Sequence, residues 1–126
     1  MKILLVDDAM FNRQLLKLYI TKLGYEVCGE AENGIKAVEK YKSTEPDVVI
    51  MDINMPDRNG LEALEDIRKI DPNAQIIICT AHGKQHLVQE SFILGAKDYI
   101  IKPVDKHRLE KALNDIESKM TNNFNE

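Results

Sequence analysis

The sequence predicts an α/β fold, a doubly wound parallel sheet of five strands. Five short apolar runs alternate with longer segments in which apolar residues recur every three or four positions. Strands that alternate with helices form βαβ units and a parallel sheet. The first, third and fourth runs are almost wholly apolar, which is typical of parallel strands covered on both faces. We expect one domain over residues 1–120 and a frayed tail over 121–126, where TNNFNE shows no periodicity.

The strands and helices can be placed in order along the chain. The predicted strands cover residues 2–6, 25–31, 47–51, 75–79 and 98–101. The second of them carries Glu26 and Glu30 among apolar residues, which indicates a half-exposed edge strand. Amphipathic stripes between and after the strands predict helices around residues 15–23, 35–41, 61–67, 87–94 and 109–116. Gly24 is the expected C-cap of the first helix and Asp105 the N-cap of the last.

Composition excludes several classes of function. The net charge is −4 and the pI is near 5.4, so direct binding to nucleic acid, which usually needs a basic patch, is not expected. No apolar run approaches the ~20 residues of a membrane span. Cys28 and Cys79 lie inside apolar runs, as reduced core thiols of a cytoplasmic protein do. We therefore expect a cytoplasmic monomer that contacts neither membrane nor nucleic acid.

Polar residues follow four of the predicted strands at the point where each strand ends. Asp7 and Asp8 follow the first strand, Asp52 the third, Thr80 the fourth and Lys102 the fifth. Ligands of open parallel sheets bind at the carboxyl ends of the strands. Residues far apart in the chain are therefore expected to converge on one pocket.

The three acids of this pocket predict a metal ion. Two like charges ~4 Å apart cost about 4 kcal/mol at an effective dielectric constant of about 20, and a hard cation such as Mg²⁺ would relieve that repulsion. Beside a metal ion, Asp52 can act as a nucleophile and form an aspartyl phosphate. Thr80 and Lys102 would supply hydrogen bonds and charge to the phosphoryl group. We expect Pro56 and Gly60 to turn the chain away and leave Asp52 open at the pocket mouth.

These motifs, in this order, resemble the receiver domain of two-component response regulators. The resemblance rests on Asp7-Asp8, on Asp52 in MDINMP, on Gly60, on Thr80-Ala81 and on Lys102-Pro103, and it covers residues 2–119. The segments LLVDDAMFNR and ENGIKAVEKYKSTEPD are most similar to stand-alone chemotaxis regulators. The resemblance implies the flavodoxin-like (βα)5 topology with strand order 2-1-3-4-5.

The resemblance also implies roles for the acidic residues. Asp52 would accept a phosphoryl group from a partner histidine kinase. Asp8 and Asp52 would ligate Mg²⁺ directly, Asp7 would act through water, and the backbone carbonyl of Asn54 would complete the protein ligands. Asn54 and His82 occupy the two positions that tune the lifetime of the phosphoryl group in this family.

A conformational switch is implied as well. Lys102 would pair with the phosphoryl group, and its peptide bond to Pro103 is expected to be cis. Thr80 would move toward the phosphoryl group, and Tyr99 would turn inward into the vacated space, with Ala81 small enough not to obstruct it. The surface of the fourth helix, fifth strand and fifth helix would change.

The resemblance implies partner proteins and leaves the output open. The expected partners are a histidine kinase or histidine phosphotransferase and a downstream protein, either a flagellar switch or a relay protein. Control of chemotaxis is the first expectation. Alternatives are a sporulation-type phosphorelay intermediate, to which TAHGKQHLVQESFILGA has some similarity, and a receiver excised from a longer regulator.

Other classes of function compete with this interpretation. A metal-dependent aspartyl phosphatase would need a second acid where Asn54 stands, so the chain is not expected to be a turnover enzyme. A flavin carrier would need a phosphate-binding first loop, and Asp7-Asp8 would repel the phosphate. An interaction domain without phosphorylation would not need the acids, Thr80 or Lys102. His82 and His86 could form half a zinc site, but no Cys or further His lies nearby in the sequence.

Overall fold

The computed structural model describes residues 1–55, 60–82 and 84–125, and of residues 121–125 it describes the backbone alone. Pro56, expected to turn the chain after Asp52, lies outside the described residues. Five strands and five helices alternate along the described chain: β1 (Lys2–Val6), α1 (Met10–Lys22), β2 (Glu26–Ala31), α2 (Gly34–Thr44), β3 (Val48–Asp52), α3 (Gly60–Ile70), β4 (Ile76–Thr80), α4 (Gln85–Ile93), β5 (Asp98–Ile101) and α5 (Lys106–Asn125).

The strands form one sheet in the order β2-β1-β3-β4-β5, and all neighbouring pairs are parallel. The expected fold class and strand order are confirmed. β2 lies at an edge and is partly exposed along most of its length, as its glutamates indicated. β3 and β4 begin one residue later than predicted and end on Asp52 and Thr80 themselves. Two of the polar residues expected to follow strands are therefore their last residues.

The core consists of two apolar layers, one on each face of the sheet. Leu4, Val49 and Ile78 belong to the layer packed against α2, α3 and α4. Ile3 and Ile50 belong to the layer packed against α1 and α5. Successive strand residues point to opposite faces, so the central strands are buried on both sides and read as unbroken apolar runs.

Local residues set the ends of several helices. The N–H of Lys36 donates to Asn33 Oδ1 at 2.9 Å and caps α2, as expected of a loop that enters a helix. Gly24, the predicted C-cap of α1, directly follows the observed C-cap Leu23 and has a φ of +88°. Gly95 follows α4 with a φ of +111°. These left-handed positions after a helix favour glycine.

The last helix is longer than the sequence pattern indicated. Its backbone continues to Asn125, so the predicted tail starts inside the helix. The domain boundary at residue 120 and the fraying beyond it stay predictions.

Cys28 and Cys79 are free thiols, and burial raises the pKa of Cys79 to about 12. Among the described residues, no helix is long and apolar enough to cross a membrane.

Candidate functional site

The carboxyl ends of the two central strands bring three acids together. Asp7 and Asp8 follow β1, and Asp52 ends the neighbouring strand β3. One carboxylate oxygen from each lies within 4.8 Å of the other two. Asp7 and Asp52 are buried and Asp8 is exposed. The acids that the sequence predicts to converge therefore form one cluster, open to solvent on the side of Asp8.

Backbone groups fix the two buried carboxylates. The N–H of Ala9 donates to Asp7 Oδ1 at 2.9 Å, and the N–H of Asn54 donates to Asp52 Oδ1 at 3.0 Å. Both bonds span two residues, and such bonds orient an aspartate side chain within a turn. Each carboxylate is thereby held in one orientation and keeps its second oxygen for other partners.

Asp52 is more enclosed than the sequence suggested. We expected it to stand open at the pocket mouth, but the residue is only 7% exposed. The N–H of Ile53 donates to the carbonyl of Cys79 at 3.1 Å and prolongs the strand contact beyond Asp52. The first residue of α3, Gly60, lies against the same strand end, where a Cβ would come within 2.2 Å of the Asp52 carbonyl oxygen. Only glycine permits this close approach to the backbone at the end of β3.

Lys102 reaches the acids from the end of β5. Its Nζ donates to Asp7 Oδ2 at 2.9 Å and to Asp52 Oδ2 at 3.2 Å. Its backbone N–H donates to the Thr80 carbonyl at 2.8 Å, and its peptide bond to Pro103 is cis. One ammonium group is thus shared by two of the three carboxylates.

The electrostatics of the site follow from burial and from these contacts. Burial raises the pKa of Asp52, and the charge of Asp7 adds to the effect, while the Asn54 N–H and Lys102 oppose it. Burial alone would lower the pKa of Lys102, but its hydrogen bond to Asp7 and the charge of Asp52 outweigh burial and raise it. Lys102 therefore stays charged, and its ammonium offsets the charge of Asp7 at Asp52, so burial is the main reason why the pKa of Asp52 is raised.

The donor set fits Mg²⁺. Oxygens around an octahedral Mg²⁺ ion, with bonds of about 2.1 Å, lie about 3 to 4.2 Å apart, so a small inward movement of the three carboxylates would place them around one ion. In the described part of the chain, this is the one cluster of three or more acids, histidines or cysteines close enough to hold a metal. His82 and His86 are exposed and gain no third ligand there.

Thr80, Ala81 and Tyr99 line a cavity beside the acids. Thr80 is buried at the end of β4, and its hydroxyl lies 3.4 Å from the Ala81 carbonyl. Tyr99, on the neighbouring strand β5, is 37% exposed. The cavity between α4 and β5 has a volume of about 240 Å³ and is also lined by Val88 and Ile101.

Sequence reasoning assigned no role to Arg13. In the structure its Nη1 donates to the Asp7 carbonyl at 2.6 Å, and its Nε donates to Glu30 Oε1 at 3.1 Å. Lys17 also pairs with Glu30, at 3.0 Å. Arg13 therefore ties the acidic turn after β1 to the edge strand β2. A basic residue in the helix that directly follows two acids is the signal that could have indicated this contact.

Comparisons with known proteins agree with this geometry. Residues 3–114 match the response regulator receiver domain. The chemotaxis protein CheY of Thermotoga maritima is 56% identical over 91% of this chain and 96% of its own length, and CheY of Bacillus subtilis is 50% identical over 90% and 94%. A chain in the crystal structure of the CheX–CheY–BeF3–Mg²⁺ complex from Borrelia burgdorferi is similar in fold. Its TM-score is 0.87, and it is 35% identical, with coverage of 91% of this chain and 87% of that chain. The chain therefore belongs to the response regulator receiver domain family of two-component signalling, and within it is CheY-like.

Proposed function

We propose that Asp52 accepts a phosphoryl group from a phosphohistidine of a histidine kinase or histidine phosphotransferase. The observation that carries the proposal is the position of the Asp52 carboxylate. It is buried at a strand end, clusters with Asp7 and Asp8 within 4.8 Å, and lies 3.2 Å from the Lys102 ammonium. Mg²⁺ would be bound directly by Asp8, Asp52 and the Asn54 carbonyl, and by Asp7 through water.

The proposed step uses groups that the structure already orients. An Asp52 oxygen forms the new P–O bond with a lone pair, the P–N bond breaks, and the imidazole leaves with the electron pair and takes up a proton. Each Asp52 oxygen accepts one hydrogen bond, from the Asn54 N–H or from Lys102, and an ionised carboxylate oxygen retains a further lone pair. Lys102 and the Thr80 hydroxyl would then bind the phosphoryl oxygens. Bound Mg²⁺ supplies positive charge that offsets the repulsion between phosphoryl group and acids.

The same site supports slow loss of the phosphoryl group rather than enzymatic turnover. A phosphatase built on an aspartyl nucleophile needs an acid that protonates the leaving group. Asn54 lies two residues after Asp52, and its amide has no proton to transfer at neutral pH. Asn54 and His82 would instead set how fast water reaches the phosphoryl group. The protein would carry out its own phosphorylation and dephosphorylation as a signalling component.

The output would come from a change in the surface formed by α4, β5 and α5. A phosphoryl group adds about −1.5 to −2 charges and would draw the Thr80 hydroxyl toward it. Tyr99 could then turn into the cavity of about 240 Å³ beside Thr80. Phe92 and Ile93 of α4 are exposed on this surface, which suits an apolar protein partner. Similarity to CheY favours chemotaxis control through a flagellar switch; a relay protein is the alternative partner.

The proposal is tested by weighing the intact protein after incubation with Mg²⁺ and acetyl phosphate or phosphoramidate. We expect one added phosphoryl group per chain, dependent on Mg²⁺ and absent from Asp52→Asn. Asp115→Asn, which removes an exposed acid of α5, is the matched control and should label like the wild type. An unchanged mass, or equal labelling of Asp52→Asn, would refute the proposal. Rapid phosphate release over many turnovers would favour a phosphatase instead.

A further inference from the structure

Two side chains hold the ring of Tyr99 at the protein surface. The ring of Phe92 meets it edge-on, with centroids 6.1 Å apart and an interplanar angle of 90°. On α5, the guanidinium carbon of Arg108 lies 5.8 Å from the Tyr99 centroid. A guanidinium within about 6 Å of an aromatic centroid is attracted by the ring. Both contacts stabilise the outward orientation of Tyr99.

Arg108 is itself held rigidly in place. Its Nη2 donates to Asp98 Oδ1 at 2.6 Å and its Nη1 to Asp98 Oδ2 at 3.3 Å. Nη2 also donates to the backbone carbonyl of Tyr99. The planar guanidinium thus binds the carboxylate with both arms, an arrangement that lysine cannot reproduce. Arg108 contacts Tyr99 through both its backbone and its ring.

Tyr99 also lines a cavity that its ring could enter. The cavity lined by Thr80, Ala81, Val88 and Tyr99 has a volume of about 240 Å³. In another protein, an apolar cavity of about 150 Å³ accommodates benzene, so this one has room for a phenol ring. A ring that turned into the cavity would leave the guanidinium of Arg108 behind.

We propose that Arg108 is a positioning residue that holds Tyr99 outward in the unphosphorylated protein, with Asp98 as its anchor. The inference rests on the proposed function, because it concerns the inward movement of Tyr99 that phosphorylation would favour. A ligand shifts such an equilibrium only by its difference in affinity for the two states. Every contact that favours the outward state therefore weakens the response to the phosphoryl group and keeps the resting protein inactive.

The size of the effect follows from the contact. A cation–π contact at a partly exposed site changes an equilibrium by about two- to five-fold. Loss of Arg108 should therefore raise the ratio of inward to outward Tyr99 by about that factor. Apparent affinity for a ligand that selects the inward state should rise by up to the same factor.

The experiment uses the full chain labelled with fluorotyrosine and followed by fluorine NMR, with the Tyr99 resonance assigned by Tyr99→Phe. Beryllofluoride with Mg²⁺ serves as the phosphoryl mimic. Arg108→Ala removes the guanidinium. Asp98→Asn removes the charge that anchors it and one of the two oxygens that accept from it, and retains an oxygen that can still accept from the Tyr99 N–H. Arg108→Lys is the conservative variant, and Lys111→Ala, an exposed position of α5, is the control.

Without beryllofluoride, we expect the Tyr99 resonance of Arg108→Ala and Asp98→Asn to move part of the way toward its position in the saturated wild type. Beryllofluoride affinity should rise by about two- to five-fold, with Arg108→Lys intermediate and Lys111→Ala unchanged. A purely structural role would lower thermal stability without moving the Tyr99 resonance toward its saturated position and without raising beryllofluoride affinity, and this result would overturn the inference. If beryllofluoride fails to move the wild-type resonance, the proposed movement of Tyr99 is wrong too, whereas phosphorylation of Asp52 is decided separately by intact mass.

Discussion

Replacement of Lys102 by methionine is expected to strengthen Mg²⁺ binding and weaken phosphorylation. The Lys102 ammonium lies 2.9 Å from Asp7 Oδ2 and 3.2 Å from Asp52 Oδ2, so it occupies two of the three carboxylates proposed to hold the ion. A Mg²⁺ ion must either displace the ammonium or bind while the ammonium repels it. Methionine has a similar length and no charge, and it removes both effects.

The magnitude can be bounded from the exposure of Lys102. Two unit charges 4 Å apart interact by about 1 kcal/mol in water and about 4 kcal/mol at an effective dielectric constant of about 20. The Lys102 side chain is 24% exposed, so it can turn toward solvent when the ion binds, and the value for water is the better guide. A divalent ion doubles that value to about 2 kcal/mol, which is about 30-fold in the dissociation constant. We expect Mg²⁺ to bind about 10- to 30-fold more tightly to the variant.

Isothermal titration with Mg²⁺ at neutral pH measures this change, with Lys111→Met of α5 as a control that should bind like the wild type. Labelling by acetyl phosphate should be slower in Lys102→Met, because the phosphoryl oxygens lose their ammonium partner. Unchanged or weaker Mg²⁺ affinity in Lys102→Met would refute the reasoning, since Lys102 would then not compete with the ion.

Three further substitutions test the packing and charge of the site. Asp52→Asn should raise the free energy of unfolding without Mg²⁺ by about 1 kcal/mol, the lower end of the cost of a buried group that is incompletely compensated. Because burial raises the pKa of Asp52, this gain should be present at neutral pH. In urea unfolding it should vanish below about pH 3.9, the pKa of an unfolded aspartate. Gly60→Ala places a Cβ against the Asp52 carbonyl. It should lower the free energy of unfolding by about 2 kcal/mol and weaken Mg²⁺ binding. A variant with wild-type stability and unchanged Mg²⁺ affinity would contradict this. Burial alone would raise the pKa of Glu30, but its bonds to Lys17 and Arg13 outweigh burial and lower it. Glu30→Gln should therefore lower the free energy of unfolding by less than about 1 kcal/mol at neutral pH. At acid pH, where the wild-type carboxyl is protonated, the substitution should have no effect. An equal loss of stability at both pH values would count against the ion pairs.

The fold was predictable because burial on both faces leaves a direct mark on the sequence. All residues of β3 are buried, and the run VVIM shows it. The ends of β3 and β4 were placed one residue early, because Asp52 pairs with Cys79 and Thr80 with Ile101. In the sequence, a polar residue after an apolar run indicates the start of a loop. Whether that residue still pairs with a neighbouring strand depends on residues distant in the chain, which the local pattern does not show.

The convergence of the three acids and Lys102 was predictable, and their detailed contacts were not. The rule that ligands bind at the carboxyl ends of parallel strands names the acids without any side-chain geometry. The burial of Asp52 and the close approach of Gly60 to its carbonyl depend on tertiary packing. The tie from Arg13 to the Asp7 carbonyl and the hold of Arg108 on Tyr99 depend on side-chain conformations. None of these contacts follows a sequence period, so only the folded chain reveals them.

The position of the phosphoryl group is tested most directly by chemical mapping. The protein is labelled with acetyl phosphate and Mg²⁺ and then reduced with borohydride, which converts an aspartyl phosphate to homoserine, and its peptides are sequenced by mass spectrometry. We expect homoserine at position 52 alone, and only when Mg²⁺ was present during labelling. Homoserine at Asp7 or Asp8, or a phosphoryl group on Thr80 or His82 that survives reduction, would contradict the assignment of Asp52 as the phosphoacceptor.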